Sequence, residues 1–341
     1  MTGVQTCALP ISGDARLDAL SWAVLAPNPH NRQPWLISLL GADEIVLHAD
    51  PARLLPATDP FSRQIVIGLG CFVETLALAA AAQGLATEVA PFPEGADPRA
   101  LDARPVARLR LAGAAAPDPL FAAIADRRTC KAPFEARRPD PAALAPLAAE
   151  AARLHAEPAQ AARLRDLALR AHDVEMFTPR TLQESIDLMR IGKAEIVADP
   201  DGIDLGGPFL EGLAALGRLS RAQLADPDSA AFAQGLAMYH EMLGATPAWL
   251  SVTGPATRAG ELAAGRRWMR VHLAATAAGL SLHPVSQALQ EYPEMAELFA
   301  EIHEEIPAPE GERLHMFARL GYGPATPPSP RWPLETRIRP A

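Results

Sequence analysis

Three cysteines in 341 residues, Cys7, Cys71 and Cys130, are too few for a disulfide framework. They form no CxxC pair and no Cys/His spacing, which argues against a zinc site. Their scarcity does not settle the compartment. A Lys/Arg-dense stripe is also missing, and the net charge is -9, which excludes the footprint of a nucleic-acid binder. No apolar run reads as long enough to span a bilayer, and the Ala-rich stretch 75–82 fits an amphipathic helix. The GxSxG elbow, HExxH and the P-loop are absent. Gly202, Gly206 and Gly207 lack GxGxxG spacing, which argues against a Rossmann nucleotide site. Glu301, His303, Glu304 and Glu305 stand close together, but a solvated helix face accounts for them.

What is present is ample apolar material, 49% of the chain, at a length that suits two packed lobes or one large fold. The 34 prolines are spread along the whole chain and read as compositional bias, not disorder. Residues 1–11, MTGVQTCALPI, resemble a sequencing-library adapter read in frame, with Ser12 at the junction. On that reading residues 1–12 and Cys7 are not native, and fold reasoning starts near Gly13. The compartment, cytoplasmic or periplasmic, then stays open, because a signal peptide would be lost with the native start.

Asp14 is placed to cap a helix through Leu17, Leu20 and Val24 that ends by Pro27. Residues 35–40 and 44–49 read as strands joined by a turn at Gly41-Ala42-Asp43. A long helix is expected from Asp59-Pro60 to about Gly84, then strands over 87–92 and 105–111. Asp118 opens a short helix ending near Asp126. Helices dominate 140–245, with breaks at 157–158, 200–207 and 226–228. A strand over 248–252, a helix over 257–278 and a last strand over 313–320 follow.

One repeat is visible. Arg63, Gly70 and Gly84-Leu85 recur as Arg258, Gly265 and Gly279-Leu280, each offset by 195 residues. Both segments are Ala-rich helices closed by the Gly that commonly stops a helix. Any two Ala-rich helices ending in Gly share some of this, so the repeat gains weight only from the motifs around it.

Four segments carry candidate chemistry. Ala26 to Trp35, APNPHNRQPW, is a proline-stiffened loop whose side chains are hydrogen-bonding groups, entering a strand. It reads equally as a reader of a polar heterocycle and as a surface loop anchored by Trp35. Arg127-Arg128-Thr129-Cys130-Lys131 puts three cations and a hydroxyl within five residues, which suits a phosphate monoester, though short basic runs are commonly surface charge. The segment from Gly279 to Gln287 follows the second repeat helix, with His283 read as an ordinary strand-end histidine. Gly321-Tyr322-Gly323 precedes Arg331 near the end of the chain. Residues 185–210, with Arg190 and Lys193 before a Gly/Asp loop, read either as a lid or as a helix hairpin capping the core.

Taken in order from 26 to 333, these motifs resemble the nitroreductase family of FMN-dependent oxidoreductases, with both halves of the usual dimer on one chain. Asn31-Arg32-Gln33-Pro34-Trp35 matches the family's N-x-QPW loop, and Arg127 to Lys131 its Arg-Arg-Ser/Thr-x-Arg/Lys motif. The resemblance implies that Arg127, Thr129, Lys131, Arg331 and, less directly, Arg128 hold the FMN phosphate and flavin edge. It implies that Asn28, His30, Asn31 and Gln33 border the ring, and that Pro284, Val285, Ser286 and Gln287 run beneath it. Ser329 stands where many relatives have a second cation. The implied fold is α+β: two related lobes, each a mainly antiparallel sheet surrounded by helices, over 13–115 and 116–341. The implied activity is ping-pong transfer of electrons from NAD(P)H through FMN to a small electron-poor acceptor such as a nitroaromatic or quinone. No dedicated catalytic acid or base is identifiable.

The motifs occur once, not twice. Pro91-Phe92-Pro93-Glu94 stands where a second ring segment would fall, and the second half has no QPW loop. One FMN site between the halves is therefore expected, in a monomeric pseudo-dimer or a homodimer of it. A protein that sequesters FMN with little turnover is the alternative, and a flavin-free structural descendant a third reading.

Overall fold

The structure is a computed structural model that describes residues 12–339. The adapter-like stretch Met1–Ile11, Cys7 included, lies outside the described residues. Helix α1 (Ala15–Ala23) starts where its cap sits: the Asp14 carboxylate accepts the Arg16 N–H at 2.9 Å. Strands β1 (Trp35–Leu40) and β2 (Glu44–Ala49) pair antiparallel from Trp35↔Ala49 to Leu40↔Glu44, across the expected turn. Helix α2 (Arg63–Ala82) begins four residues later than its sequence suggests. Ser62 is left-handed at φ 57°, and the buried Asp59 carboxylate turns back to accept the Ile65 N–H at 3.0 Å. Strands β3 (Leu85–Pro91) and β4 (Ala107–Ala114) complete this part.

The next stretch opens with a 3₁₀ turn, Pro119–Ala123, capped by Asp118. Helix α3 (Pro141–Ala149), strand β5 (Arg153–His155), α4 (Pro158–Phe177) and α5 (Pro179–Asp187) follow. An excursion comes next: β6 (Met189–Ile191), α6 (Gly192–Ala198), β7 (Ile203–Leu205) and α7 (Pro208–Ala215), with β6 and β7 parallel. Helices α8 (Arg221–Ala225) and α9 (Ala230–Gly244) return the chain to the core. Helices dominate as expected, but three-residue strands are too short to leave a periodic signal. The chain ends through β8 (Ala248–Pro255), α10 (Arg258–Ala277), β9 (Ser281–Pro284), α11 (Ala296–Glu305) and β10 (Glu312–Gly321).

The two main sheets have one topology. The first runs β1-β2-β4-β3 and the second β5-β8-β10-β9, with every neighbouring pair antiparallel. In each, a 20-residue helix joins the second strand to the third, which makes an α+β fold. Those helices, α2 and α10, pack on each other through the glycines of the repeat. A Cβ on Gly70 would lie 2.2 Å from the Leu262 carbonyl oxygen, and one on Gly265 2.0 Å from that of Ile67. Only a residue without a side chain permits that approach. The repeat arginines reach across in opposite directions. Arg63 donates to the Leu289 and His315 carbonyls, and Arg258 to those of Phe61 and Asp97.

Helix α2 corrects the expectation that no run is long enough for a bilayer: by length and composition it qualifies. Its apolar surface has another destination, since 83% of the window is buried inside the molecule. The main core joins it to both sheets and to α10, with Trp35 packed on Phe72 at 5.0 Å. A second core under α4 and α11 holds Trp249 stacked on Phe317 at 4.6 Å. The tail after β10 crosses back and pairs Ile338 with Ile37 on the edge of β1.

Candidate functional site

The proline-rich loop is held in a conformation few side chains adopt. His30, Asn31 and Gln33 are left-handed, at φ 46°, 53° and 49°. Strain of this kind persists only where neighbours over-determine it, and here they do. The Asn28 side chain accepts the Gln33 N–H at 2.7 Å. Asn31 donates to the Pro330 carbonyl at 3.1 Å and accepts from Arg331 at 2.8 Å. The Gln33 amide is fully buried, donates to the Pro200 carbonyl at 2.7 Å and accepts the Trp332 N–H at 2.9 Å. Gln33 therefore braces the loop between two other segments.

Three guanidiniums converge behind this loop. Arg127 and Arg331 each donate to the Leu25 carbonyl at 3.3 Å. Arg331 also donates to the Val24 carbonyl at 2.8 Å. Burial, then the neighbouring Arg127 and Arg128, pushes Arg331 down to about 9. Burial pushes Arg127 down to about 10. Arg127 is 6% exposed, yet its Nε and Nη1 have no partner, nor does the Nε of Arg128. Among the described residues neither Arg127 nor Arg331 forms a salt bridge. Orphaned N–H groups on a buried cation are costly and rare, and Arg127 with Arg128 could hold an anion with several acceptor oxygens.

The basic motif is tied directly to the third segment. Thr129 bridges Leu282 in parallel, and the Cys130 N–H donates to the Leu282 carbonyl at 3.0 Å. Exposed Lys131 lies beside His30: after burial, its charge and that of Arg32 push the imidazole down to about 4. In the segment that follows β9, Pro284, Ser286 and Gln287 are half-buried. Val285 is different, because its side chain is core and its N–H donates to the Phe317 carbonyl at 2.8 Å. The four sequence segments thus meet at one place, although some 300 residues separate Asn31 from Arg331.

Two residues here have no signal in the sequence. Buried Glu175 on α4 accepts from Gln290 at 2.8 Å, near Gln287 and Lys131; burial raises its carboxyl to about 7. On an amphipathic helix it looks like any other glutamate. Asp201 is the other. It sits 2.5 Å from Arg53, 2.7 Å from Arg190 and 3.6 Å from Arg32, and accepts from the Trp332 indole at 3.4 Å. Burial alone would raise its carboxyl, but Arg53, the indole N–H and Arg190 outweigh it and hold it low. The excursion is thereby docked on the loop, and Arg190, a candidate lid cation by sequence, is committed to Asp201. Lys193 remains exposed.

No family model matches the chain. A Mycobacterium tuberculosis (strain H37Rv) protein provisionally named NAD(P)H nitroreductase acg is 35% identical over 89 residues. That match spans 26% of this chain and 26% of the relative, so the chain covers about a quarter of its length. Among solved structures, the chain is similar to the FMN-dependent nitroreductase NfnB of Mycobacterium smegmatis in complex with NADPH. The identity is 21% and the TM-score 0.39, over 64% of this chain and 96% of that one. It is also similar to a nitroreductase with bound FMN from Bacteroides fragilis, at 11% identity and TM-score 0.31, over 60% and 88%.

Proposed function

We propose that this chain is an FMN-dependent oxidoreductase of the nitroreductase kind, with one flavin site between two halves that arose by duplication. The observation that carries the reading is the buried, unpaired edge of Arg127 beside Arg128 and Arg331. A phosphate monoester satisfies such an edge in charge and in acceptor number. The relatives' names and the shared strand order of the two sheets support the same reading. The halves divide near residue 115.

In this reading Arg127, Arg128 and Arg331 hold the phosphate, with Thr129 and Lys131 at the flavin edge. Asn28, His30 and Asn31 form the wall that the left-handed loop makes rigid, and Gln33 fixes that wall. Pro284, Ser286 and Gln287 supply the opposite side. When bound, FMN supplies the redox chemistry, taking hydride from NAD(P)H and passing electrons to a small electron-poor acceptor such as a nitroaromatic or quinone in a ping-pong cycle. The protein positions the ring, and the Lys131 cation near it favours the electron-rich reduced form.

An absorbance spectrum of the purified protein, followed by anaerobic NADPH or NADH addition, tests this. Yellow protein bleached within seconds supports the oxidoreductase. Yellow protein that neither nucleotide bleaches favours the sequestering alternative, for which the excursion docked on the loop through Asp201 is the supporting observation. Colourless protein that takes up no added FMN overturns both.

A further inference from the structure

A second cluster lies outside the cation site, where α4 meets α9. His172 and Asp173 on α4 and His240 on α9 bring one ligand atom each within 4.8 Å of one another. The His240 Nε2 lies 2.5 Å from the Asp173 Oδ1, and the His172 Nδ1 lies 3.8 Å from that same oxygen. His172 is 3% exposed, and its Nδ1 has no hydrogen-bond partner. Its ring is stacked on Tyr239 at 4.6 Å, nearly parallel, so its direction is set before any ligand arrives. Asp173 and His240 are both partly exposed and hydrogen-bonded to each other.

From these observations we infer that His172, Asp173 and His240 form a binding site for a divalent transition-metal ion of the zinc or cobalt class. Two imidazole nitrogens and one carboxylate oxygen are the ligand types such ions select, whereas Mg²⁺ and Ca²⁺ take mainly oxygen. Tetrahedral ligands about 2.0–2.1 Å from a zinc ion stand roughly 3.3 Å apart. The separations of 2.5 and 3.8 Å straddle that value, the third lies within 4.8 Å, and rotation of the two partly exposed side chains would bring all three toward it. Three protein ligands leave a fourth position toward solvent for water. Metal at this site links α4 to α9. The site departs from the sequence-based expectation of no metal ligands, because 67 positions along the chain separate Asp173 from His240.

The test uses the full-length protein, stripped of affinity tag and treated with chelator. Co²⁺ is titrated while its visible d–d absorption is recorded, and Zn²⁺ is then added. The expected result is one equivalent of Co²⁺ bound with a tetrahedral-type spectrum and displaced by Zn²⁺. Binding is lost in His240→Ala and sharply weakened in Asp173→Asn, and retained in His303→Ala, whose imidazole bonds its own helix at the Phe299 carbonyl. Zn²⁺ should also raise the melting temperature of the wild type and of His303→Ala but not of His240→Ala, since a ligand bound only by the folded state stabilises it. Partly exposed His240 lies outside both main cores, and far-UV circular dichroism checks that the variant folds. Failure of the wild type to bind one equivalent overturns the assignment. So does equal binding by His240→Ala.

Discussion

Arg127 shows most directly how a site differs from a scaffold. A buried guanidinium pushed down to about 10 costs the folded protein on the order of 3 kcal/mol when no anion pairs with it. Arg127→Met removes that cost while keeping the shape. The flavin-free variant is expected to melt higher than flavin-free wild type, and its FMN affinity to fall roughly tenfold or more, as loss of a charged hydrogen bond predicts. Calorimetric melting and a flavin fluorescence titration read the two effects, and a drop in both would mark Arg127 as structural. Glu175 shifts the other way on the pH scale for the same reason, burial disfavouring the charged form. Its carboxyl is raised from 4.5 to about 7 by burial, so the unfolded chain ionises first as pH rises. Its stabilising contribution is complete below pH 4.5 and lost between about 4.5 and 7, on the order of 3 kcal/mol in all. Glu175→Gln keeps the bond to Gln290 and should flatten urea-denaturation stability across that window. An unchanged pH slope would show that Glu175 is not the group responsible.

The two long helices carry the next level of order. Where α2 crosses α10, backbone meets backbone at Gly70 and Gly265. Gly265→Ala puts a methyl group against the Ile67 carbonyl, with no flexible side chain to yield. The helices must separate, and overpacking of this type costs about 1–3 kcal/mol. The urea midpoint should fall accordingly. Gly235→Ala on α9, where the added Cβ meets nothing within 4 Å, should leave it unchanged or raise it. The repeat that looked generic in sequence thus has a mechanical meaning at one of its pairs: Gly70 and Gly265, 195 residues apart, are where the two helices touch.

Across the whole molecule, one buried carboxylate fastens the excursion to the rest. Asp201 gathers Arg32, Arg53 and Arg190, which come from two distant stretches of chain. Asp201→Asn leaves three guanidiniums facing one another without their counter-charge. Breaking a buried pair from one side costs about 3–5 kcal/mol, here spent on undocking β6 to α7. Amide exchange over residues 189–216 should accelerate by orders of magnitude in the variant, with exchange in α2 and α10 little changed. Uniform acceleration everywhere would mean that the excursion is integral to the fold, and no acceleration would mean that other contacts hold it.

Much of this was legible from residues alone. Asp14, Gly41 to Asp43 and Asp118 announced a cap, a turn and a second cap, because those signals act over two to four residues and need no partner. Composition placed α10, β8 and β10, the two strands being buried almost throughout and so showing as apolar runs, not as an alternation. The proline loop, the Arg-Arg-Thr motif and Arg331 were visible because several polar groups crowd a few positions. Other features depend on which distant segments meet. The start of α2 moved because Asp59 caps it from within the core. Gln33 became a brace and Arg190 part of an ion cluster once folding supplied Trp332, Pro200 and Asp201. Glu175 and the His172, Asp173 and His240 cluster carry no local pattern at all. Their charge states and partners come from burial and from contacts dozens to hundreds of residues away, and only the packed molecule creates those.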